Sequence, residues 1–547
     1  MSEKIVRYKE PKNKLDRAVL YCKHFGLKAM VGRVRDKLTH KDEGRDEYQE
    51  FLKSHALTEE ELMAQRSTEF AFSPKISIAV PLYNTPENFL EELLESVVNQ
   101  TYGNWELVLA DASPTEELKS FVEDFVEKLG LQDSGQIIYF HLAENKGIAA
   151  NTNEAIDRCT GDFLALLDHD DVLTVDALFE MVKAINSDEE IDCLYSDEDT
   201  LIFDTGVCYN PHFKPDFSPN LLYHHNYITH LFVCRMSIVR RLGGERSQFD
   251  GAQDHDFILR ATEVARKIHH IPKVLYHWRA HPASTAKDMN SKQYAFDAGR
   301  RAVQEHFART GLDIEVDFDN HAGFYIPRFA TDALPTVDKV RINDDVKGFK
   351  STAELNEAVR SSEAEYILFK DADCVPVDGD SLDILLANMV LENVAVAGPK
   401  MFFGNNLVSH AGLVLGLNGL AGSPFYKIGR EQSGYFFLSN TTHEVSAVSI
   451  DCMLVRRSDF LEAGGFDEAF TPHVAAVDLC LKLAGMGKST IYNPYSQWYF
   501  LKDLDTSKVS ASFEEEAAFD KKWESIIKSG DSYYNPNLTL LGKGYIL

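Results

Sequence analysis

The chain has 547 residues, of which 44% are hydrophobic and 11% aromatic, so it can bury the cores of two or three domains. Its formal net charge of −29, without a Lys/Arg-rich stripe among aromatic residues, argues against contact with nucleic-acid phosphates, and we expect no nucleic-acid partner. Because the sequence has no apolar run of about eighteen residues and its N-terminus lacks the apolar core of a signal peptide, we expect a cytoplasmic protein.

The first 40 residues are basic, although the chain as a whole is acidic. They contain eleven Lys or Arg against four Asp or Glu. Leu15, Ala18, Val19 and Cys22 follow helical spacing, which predicts a basic amphipathic helix within an N-terminal helical region, residues 1–73. Two interpretations remain open: the helix lies on the anionic inner face of the cell membrane as a peripheral anchor, or it packs on the next domain with its basic face solvated.

From about residue 74, short apolar runs alternate with longer helical patterns. The run 76–80 predicts a first strand that ends at Pro81. Strands that alternate with helices of about ten or more residues are typical of an α/β fold, in which a mostly parallel sheet carries helices on both faces. Further strands are predicted at 106–110, at 137–141 and up to Asp168, and helices at 86–98, 115–129 and 149–159.

Polar side chains follow each predicted strand. The carboxyl ends of parallel strands meet at one edge of a sheet, and ligands bind at that edge. A carboxylate there accepts hydrogen bonds from a ribose or base, and a glycine allows the backbone to approach a ligand closely. We therefore predict a nucleotide pocket formed by the residues at these strand ends, which include Pro81, Tyr83, Asn84, Asp111, Asn145, Lys146 and Gly147.

The sequence Asp168-His169-Asp170-Asp171 follows an apolar run that predicts a buried strand. Carboxylates crowded at a strand end repel one another, and a hard cation such as Mg²⁺ or Mn²⁺ relieves that repulsion while it bridges to diphosphate oxygens. The pattern predicts a divalent metal site. The alternative is an acidic turn that caps the next helix, which is predicted to begin near Thr174.

Several segments in the first half share the pattern of one known family. They are Ile76 to Asn84, Asn99 to Tyr102, Trp105 to Leu107, Asn145 to Ile148, Leu166 to Asp171, Tyr195 to Asp199, Gly251 to Asp256, Leu275 to Arg279 and Ser284 to Ala286. Together they resemble glycosyltransferase family 2 of the GT-A fold, in which inverting enzymes use nucleotide-activated sugars. The resemblance is closest to bacterial tandem members that build rhamnose-containing and related cell-surface polysaccharides. Neither Gly-x-Gly-x-x-Gly nor a P-loop pattern is present, which disfavours dinucleotide-binding and P-loop folds.

The resemblance implies roles for individual residues. Asp168 and Asp170 are similar to the family's Asp-x-Asp, which coordinates the metal and contacts the nucleotide, and His277 resembles a further metal or diphosphate ligand. Asp254 matches the family's catalytic carboxylate, which takes a proton from the acceptor hydroxyl. Asp256 is the competing candidate, and a carboxylate that stabilises a helix N-terminus is the alternative for both.

Other residues near these motifs are expected to complete the substrate site. Arg279 and Ser284 are predicted to contact diphosphate oxygens, because a guanidinium makes bidentate contacts with phosphate. Exposed loop positions are the alternative for both. Glu198, Asp199 and Asp256 are predicted to form the acceptor site, with a solvated acidic loop as the alternative for the first two.

A second, weaker copy of the unit follows, in which Tyr366 to Asp373 repeats the strand-then-carboxylate pattern. Where the family has its base this chain has Ala476, and where the family has a histidine it has Phe500. Alanine accepts no proton and phenylalanine binds no cation. We therefore predict a catalytic GT-A domain over residues 74–320 and a degenerate, non-catalytic GT-A-like domain over 321–547, which supports a homodimer or holds the growing glycan.

The combined prediction is a metal-dependent, inverting glycosyltransferase that uses Mn²⁺ or Mg²⁺. It moves a hexose, with rhamnose as the first guess, from a UDP- or dTDP-linked sugar to a saccharide or lipid-linked glycan in bacterial cell-surface polysaccharide synthesis. One alternative is a sugar nucleotidyltransferase. An enzyme of that class needs a glycine-rich, basic phosphate loop after its first strand, where this chain has Pro81-Leu82-Tyr83-Asn84. The other is a non-catalytic carbohydrate-binding scaffold, which would have no need of a base such as Asp254.

Overall fold

The computed structural model describes residues 45–203, 205–280, 293–312, 314–319, 321–329, 335–344 and 348–547. The predicted basic helix and Ser284 lie outside these residues. The chain divides into two compact units, residues 1–54 and 55–547. In the first unit the structure describes residues 45–54, which belong to helix α1 (Arg45–His55). The site described below lies in the second unit.

Strands and helices alternate in the first half of the large unit. The helices are α2 (Glu59–Arg66), α3 (Glu87–Val98), α4 (Glu117–Lys128), α5 (Ile148–Ile156), α6 (Ala177–Ser187), α7 (Pro219–His224), α8 (Met236–Leu242), α9 (Gln253–Thr262) and α10 (Gln293–Arg309). The strands are β1 (Ile76–Leu82), β2 (Trp105–Asp111), β3 (Ile137–His141), β4 (Phe163–Leu166), β5 (Val172–Leu173), β6 (Ile191–Ile202), β7 (Val207–His212), β8 (Phe232–Arg235) and β9 (Lys267–Ala280). The predicted strands and helices up to residue 168 are confirmed, with small shifts at their ends.

These nine strands form one sheet in the order β3-β2-β1-β4-β8-β6-β9-β5, with β7 paired to β6. The run from β3 to β4 is parallel, whereas β8 is antiparallel to both of its neighbours. Every side chain of β2 is buried, as expected for a strand covered on both faces. Helix α3 packs one apolar stripe against the sheet, formed by Phe89, Leu90, Leu93, Leu94 and Val97.

The second half contains shorter elements around a second sheet. Its helices are α11 (Thr352–Ser361), α12 (Ser381–Ala387), α13 (Arg457–Glu462), α14 (Pro472–Gly485), α15 (Phe513–Lys522) and α16 (Glu524–Ser529). Its strands are β10 (Glu315–Phe318), β11 (Tyr325–Arg328), β12 (Val337–Arg341), β13 (Asn343–Asp344), β14 (Gly348–Phe349), β15 (Tyr366–Lys370), β16 (Cys374–Pro376), β17 (Val394–Phe402), β18 (Val408–His410), β19 (Val414–Leu415), β20 (Ala421–Gly422), β21 (His443–Glu444), β22 (Cys452–Arg456) and β23 (Ser489–Phe500).

The second sheet repeats most of the first. Its order β12-β15-β22-β17-β23-β16 follows β1-β4-β8-β6-β9-β5 strand for strand, with parallel and antiparallel pairs in the same places. In the described residues nothing extends this sheet beyond β12, so β2 and β3 have no counterpart. The predicted α/β class with a second, reduced copy is confirmed. The predicted domain boundaries stay a prediction, because residues 55–547 form one compact unit.

The strand register also shows the position of Phe500, one of the residues that differ from the family pattern. His277 of β9 pairs with Val172, the first residue of β5, and Phe500 of β23 pairs with Cys374, the first residue of β16. Phe500 therefore occupies the position of His277 in the second sheet. None of the helices in the described ranges is long and apolar enough to cross a membrane.

Candidate active site

Two of the three carboxylates in the acidic turn after β4, those of Asp168 and Asp171, have different surroundings. The side chain of Asp168 is 51% exposed, whereas Asp171 is fully buried. Asp171 accepts hydrogen bonds from the Tyr276 hydroxyl at 2.5 Å and from the Arg279 backbone N–H at 2.7 Å, so it holds the turn against β9. Of the two, Asp168 is the more accessible to a ligand from solvent.

His230 lies between two carboxylates. Its Nε2 is 3.6 Å from Asp168 Oδ2, and its Nδ1 is 3.1 Å from Glu198 Oε2. Burial lowers the pKa of His230, but the nearby carboxylates of Asp168 and Glu198 outweigh burial and hold that pKa well above its ordinary value. The ring lies between the end of β4 and strand β6.

Glu198 is the centre of this polar network. Its carboxylate accepts hydrogen bonds from the Thr229 hydroxyl at 2.9 Å and from Lys214 Nζ at 3.3 Å, and it lies 3.5 Å from His212 Nδ1. Burial raises the pKa of Glu198, but the charge of Lys214 and the hydrogen bonds of His212 and His230 lower it well below its ordinary value. Glu198 is thus a paired anion within the wall of the site.

Asp254 lies in the first turn of α9 and is partly buried. Asn226 Nδ2 donates a hydrogen bond to Asp254 Oδ2 at 2.8 Å, and Asn226 Oδ1 accepts one from the Thr229 N–H at 3.3 Å. Since Thr229 also bonds Glu198, residues 226–230 link Asp254 to the network that ends at Asp168. The structure thus brings the two main predicted carboxylates to one edge of the sheet.

Asp256 has different surroundings from Asp254. It is fully buried and forms charge-assisted hydrogen bonds with Arg246 Nε at 3.0 Å and Arg260 Nε at 2.9 Å. With both guanidinium groups on this carboxylate, no oxygen faces a substrate. The placement argues against the acceptor-binding role predicted for Asp256 and favours a role in stabilising α9.

His277 and Asp199 pair with each other. Their Nδ1 and Oδ1 atoms are 2.6 Å apart, and Cys208 Sγ lies 3.6 Å from the same nitrogen. Burial lowers the pKa of His277, but the hydrogen bonds with Asp199 and Cys208 raise it to about 10. The structure therefore does not group His277 with Asp168 as predicted. The Asp199 carboxylate is paired with His277, which argues against its predicted contact with an acceptor.

Arg279 is 2% exposed, and its guanidinium has partners within the protein. Nε donates to the Asp170 carbonyl oxygen at 2.5 Å, and Nη2 is 2.7 Å from Glu92 Oε2. These contacts hold the acidic turn in place, and they argue against the predicted contact of Arg279 with diphosphate. The matching prediction for Ser284 lies outside the described residues.

The ends of β1 and β2 lie side by side, as predicted for a nucleotide pocket. Pro81 is level with Ala110 in the strand register, and the next residue of β1 is level with Asp111. Asp111 is buried and accepts hydrogen bonds from the Tyr139 hydroxyl at 2.6 Å and the Ser113 N–H at 2.9 Å. The Ser113 hydroxyl in turn accepts one from the N–H of Asn84, whose φ of 49° turns the chain beside the exposed Tyr83.

The loop before α5 packs against the loop before α9. Gly147 has a φ of 99°, and a Cβ at this position would lie 2.3 Å from Asp250 Oδ2, so glycine is required both by the backbone and by the close approach. Asn145 Oδ1 accepts hydrogen bonds from the Gly147 N–H and from Asn151 Nδ2, which makes Asn145 a turn-forming residue. Lys146 stays half exposed beside this turn.

Comparison with known proteins decides the family. Residues 77–242, from the second residue of β1 to the end of α8, match the model described as Glycosyl transferase family 2. This segment belongs to glycosyl transferase family 2. The chain is 32% identical to the uncharacterized protein y4gI of Sinorhizobium fredii, over 87% of this chain and 58% of that protein. It is 30% identical to the O-antigen biosynthesis protein RfbC of Myxococcus xanthus, over 85% of this chain and 40% of that protein.

The chain spans about half the length of these curated relatives. Among solved structures, S. aureus TarS 1-349 in complex with UDP-GlcNAc aligns at 19% identity and a TM-score of 0.35, over 43% of this chain and 66% of that chain. A likeness at that TM-score is too slight to support an argument.

Two groups of side chains in the family 2 domain and the strand that follows it are candidate positions for a divalent metal. Within the described residues, two groups of three side chains bring their ligand atoms within 4.8 Å of one another: Asp168 with Asp171 and His230, and Asp199 with Cys208 and His277. Asp170 belongs to neither. The oxygen-rich first group suits Mn²⁺ or Mg²⁺, and its Asp168 is exposed. The predicted cation therefore fits, with a different ligand set.

Sequence reasoning missed His230 and Asn226. The available signal was their position directly before the strand Phe232–Arg235, which runs antiparallel to β4. The N-terminal end of an antiparallel neighbour lies beside the C-terminal end of β4, where Asp168 is. Alternating strands and helices predict a mostly parallel sheet, in which residues that precede a strand lie at the edge opposite the ligand site.

Proposed function

We propose that this chain transfers a hexose from a nucleotide-diphosphate sugar to a saccharide acceptor, with inversion at the anomeric carbon. The observation that carries the proposal is the hydrogen-bonded segment 226–230, which joins Asp254 to the network of Asp168 at the strand ends that follow the predicted nucleotide pocket. A base and a group of carboxylates at the same edge of the sheet suit a displacement in which the acceptor and the leaving group lie on opposite faces of the sugar.

Asp254 is the proposed general base. Its Oδ2 accepts the hydrogen bond of Asn226, and no hydrogen bond from the described residues occupies Oδ1, which is free to take the proton of an acceptor hydroxyl. As the proton moves to Asp254, the acceptor oxygen attacks the anomeric carbon from the face opposite the diphosphate. One displacement of this kind inverts the anomeric configuration.

The remaining residues of the network hold charge in place. Asp168, with Asp171 and His230 beside it, is proposed to bind Mn²⁺ or Mg²⁺, which offsets the negative charge of a departing diphosphate. Lys214 and Glu198 are buried and paired, so they fix the backbone of residues 228–230 without contacting the reacting atoms.

The donor is proposed to be UDP- or dTDP-linked, with rhamnose as the first sugar to test, and the acceptor a saccharide or lipid-linked glycan of the cell surface. The name of the relative RfbC, an O-antigen biosynthesis protein, supports polysaccharide synthesis as the setting. The choice of rhamnose rests on the resemblance to tandem family members.

The test is incubation of the purified protein and Mn²⁺ with a panel of UDP- and dTDP-sugars, with and without saccharide acceptors, while release of nucleoside diphosphate is measured. We expect release that depends on a saccharide, that stops with EDTA and that is nearly absent in Asp254→Asn. NMR of the product should show the anomeric configuration opposite to that of the donor. No release with any donor, or retention of configuration, would overturn the proposal.

A further inference from the structure

A turn from the second half of the chain packs against the wall of the active site. The ring of Phe436 stacks on His212 with 3.9 Å between ring centroids and 13° between planes. The neighbouring Tyr435 hydroxyl accepts a hydrogen bond from the Phe213 N–H and donates one to the Pro211 carbonyl oxygen, both at 2.8 Å. The turn is therefore attached to the end of β7, which belongs to the first sheet.

The turn is held from its other side as well. The ring of Tyr435 stacks on Tyr545 near the C-terminus, with centroids 5.1 Å apart. The Tyr492 hydroxyl of β23 donates to the Ser439 carbonyl oxygen at 2.8 Å. With contacts on both sides, the turn has a fixed position relative to the site.

Two successive phenylalanines adopt a backbone that L residues rarely use. Phe436 has φ and ψ of 40° and 40°, and Phe437 has 66° and 7°. Left-handed backbone at a bulky residue is unfavourable and persists only where the surroundings impose it, most often at binding sites. Both side chains remain partly exposed rather than sinking into the core.

The exposed aromatic surface continues beyond Phe436. Phe437 contacts the rings of His321 and Phe324, each at 4.9 Å between centroids. All four residues are partly exposed. Aromatic faces with polar ring nitrogens beside them suit a neutral saccharide, whose C–H faces pack on rings while its hydroxyls form hydrogen bonds.

Sheet order places this surface on the acceptor side. The nucleotide pocket is predicted at β1 to β3, whereas β7 pairs with β6 on the far side of β4 and β8. His212 lies 3.5 Å from Glu198, whose partner Thr229 bonds Asn226, the residue that holds Asp254. An acceptor that approaches Asp254 from this side would pass the turn.

We propose that Phe436 and Phe437 form an aromatic platform that binds the acceptor saccharide, so that the second half completes the acceptor site of the first. This inference rests on the proposed transferase function. The second half has Ala476 and Phe500 in place of a base and a histidine. On this proposal it contributes directly to substrate binding.

Saturation-transfer difference NMR tests binding directly, with neutral trisaccharides of rhamnose, galactose and N-acetylglucosamine as probes in the presence of UDP and Mn²⁺. We compare wild type with Phe436→Ala, Phe437→Ala, the conservative Phe436→Tyr, and a matched control, Phe513→Ala, whose side chain is 82% exposed. We expect saccharide signals to fall at least about fivefold in the two platform variants and to persist in the other two. Equal signals in all variants, or no saccharide binding by wild type, would overturn the platform.

Kinetics separate a binding role from a folding role. For the platform variants we expect the acceptor KM to rise about tenfold or more, while the melting temperature and the affinity for UDP stay close to those of wild type. A lower melting temperature together with weaker UDP binding would identify a merely structural role. If wild type binds a trisaccharide through the platform but turns over no donor, the transferase function fails while the binding surface stands.

Discussion

Asn226 donates a hydrogen bond to Asp254 across 2.8 Å, and this contact places the predicted base on the same polar segment as Thr229 and His230. The segment enters β8, so the geometry of the base depends on an antiparallel strand between the two parallel parts of the sheet. The base and His230, which lies beside Asp168, are therefore positioned by one element.

Asp254→Asn should lower kcat by about 10²- to 10⁴-fold, because an amide cannot take the acceptor proton in the transition state. The binding of UDP, measured by isothermal titration calorimetry, should stay close to that of wild type, since the amide is of the same size and still accepts the hydrogen bond of Asn226. A variant that retained more than about a tenth of wild-type kcat would rule out Asp254 as the base.

Asp256→Asn should show the reverse pattern. Removal of the buried charge of Asp256 leaves Arg260 without its counter-ion and Arg246 with Glu305 alone, and breaking a buried ion pair in this way typically costs about 3–5 kcal/mol of unfolding free energy. Urea denaturation of both variants makes the comparison: Asp254→Asn should unfold near the wild-type midpoint and Asp256→Asn well below it. Equal midpoints would show that the two carboxylates are not divided between catalysis and stability.

Much of the first sheet could be predicted from sequence, because buried parallel strands are mostly apolar runs and β1, β2 and β4 have that form. The positions of Asp111 and Asp168 at strand ends follow directly from these apolar runs. The partners of the predicted residues could not be predicted in the same way. Whether Arg279 meets a diphosphate or Glu92 depends on a contact between residues far apart in the chain, which local patterns do not encode.

Histidine positions show the same limit. His277 was matched to a metal ligand by its motif, yet β6 runs beside β9 and brings Asp199 within 2.6 Å of it. His230, which has no motif, lies next to Asp168 because β8 runs antiparallel to β4. In both cases strand direction decides which side chains meet, and strand direction was the feature that the alternation of strands and helices left undetermined.

The chain should bind one divalent cation, in the first half. In the second half, Lys502 Nζ lies 2.5 Å from Asp371 and 3.7 Å from Asp373, so an ammonium already balances that carboxylate pair. Calorimetric titration with Mn²⁺ should give one site per chain, which Asp168→Asn removes and the matched variant Asp373→Asn leaves unchanged. Two sites in wild type, or a site lost in Asp373→Asn, would contradict this reasoning.

Asp531 should make the protein less stable as the pH rises through the weakly acidic range. Burial raises the pKa of Asp531 from 3.8 to about 6, against the hydrogen bonds donated by the N–H groups of Leu415 and Tyr533. A carboxyl whose pKa is higher in the folded than in the unfolded protein binds its proton more tightly when folded. Its contribution to stability is therefore complete below pH of about 4 and is lost as the pH rises through about 6.

Asp531→Asn cannot ionise, so the variant should gain unfolding free energy relative to wild type between pH 4.5 and pH 7. For pKa values of 3.8 and about 6, the relative gain over that interval is about 2 kcal/mol. Urea denaturation at the two pH values measures it, with Asp520→Asn, an exposed position in the same half, as the control. The difference between wild type and variant reports the ionisation of Asp531. A difference that stayed constant with pH would show that the carboxyl of Asp531 is ionised across the whole interval.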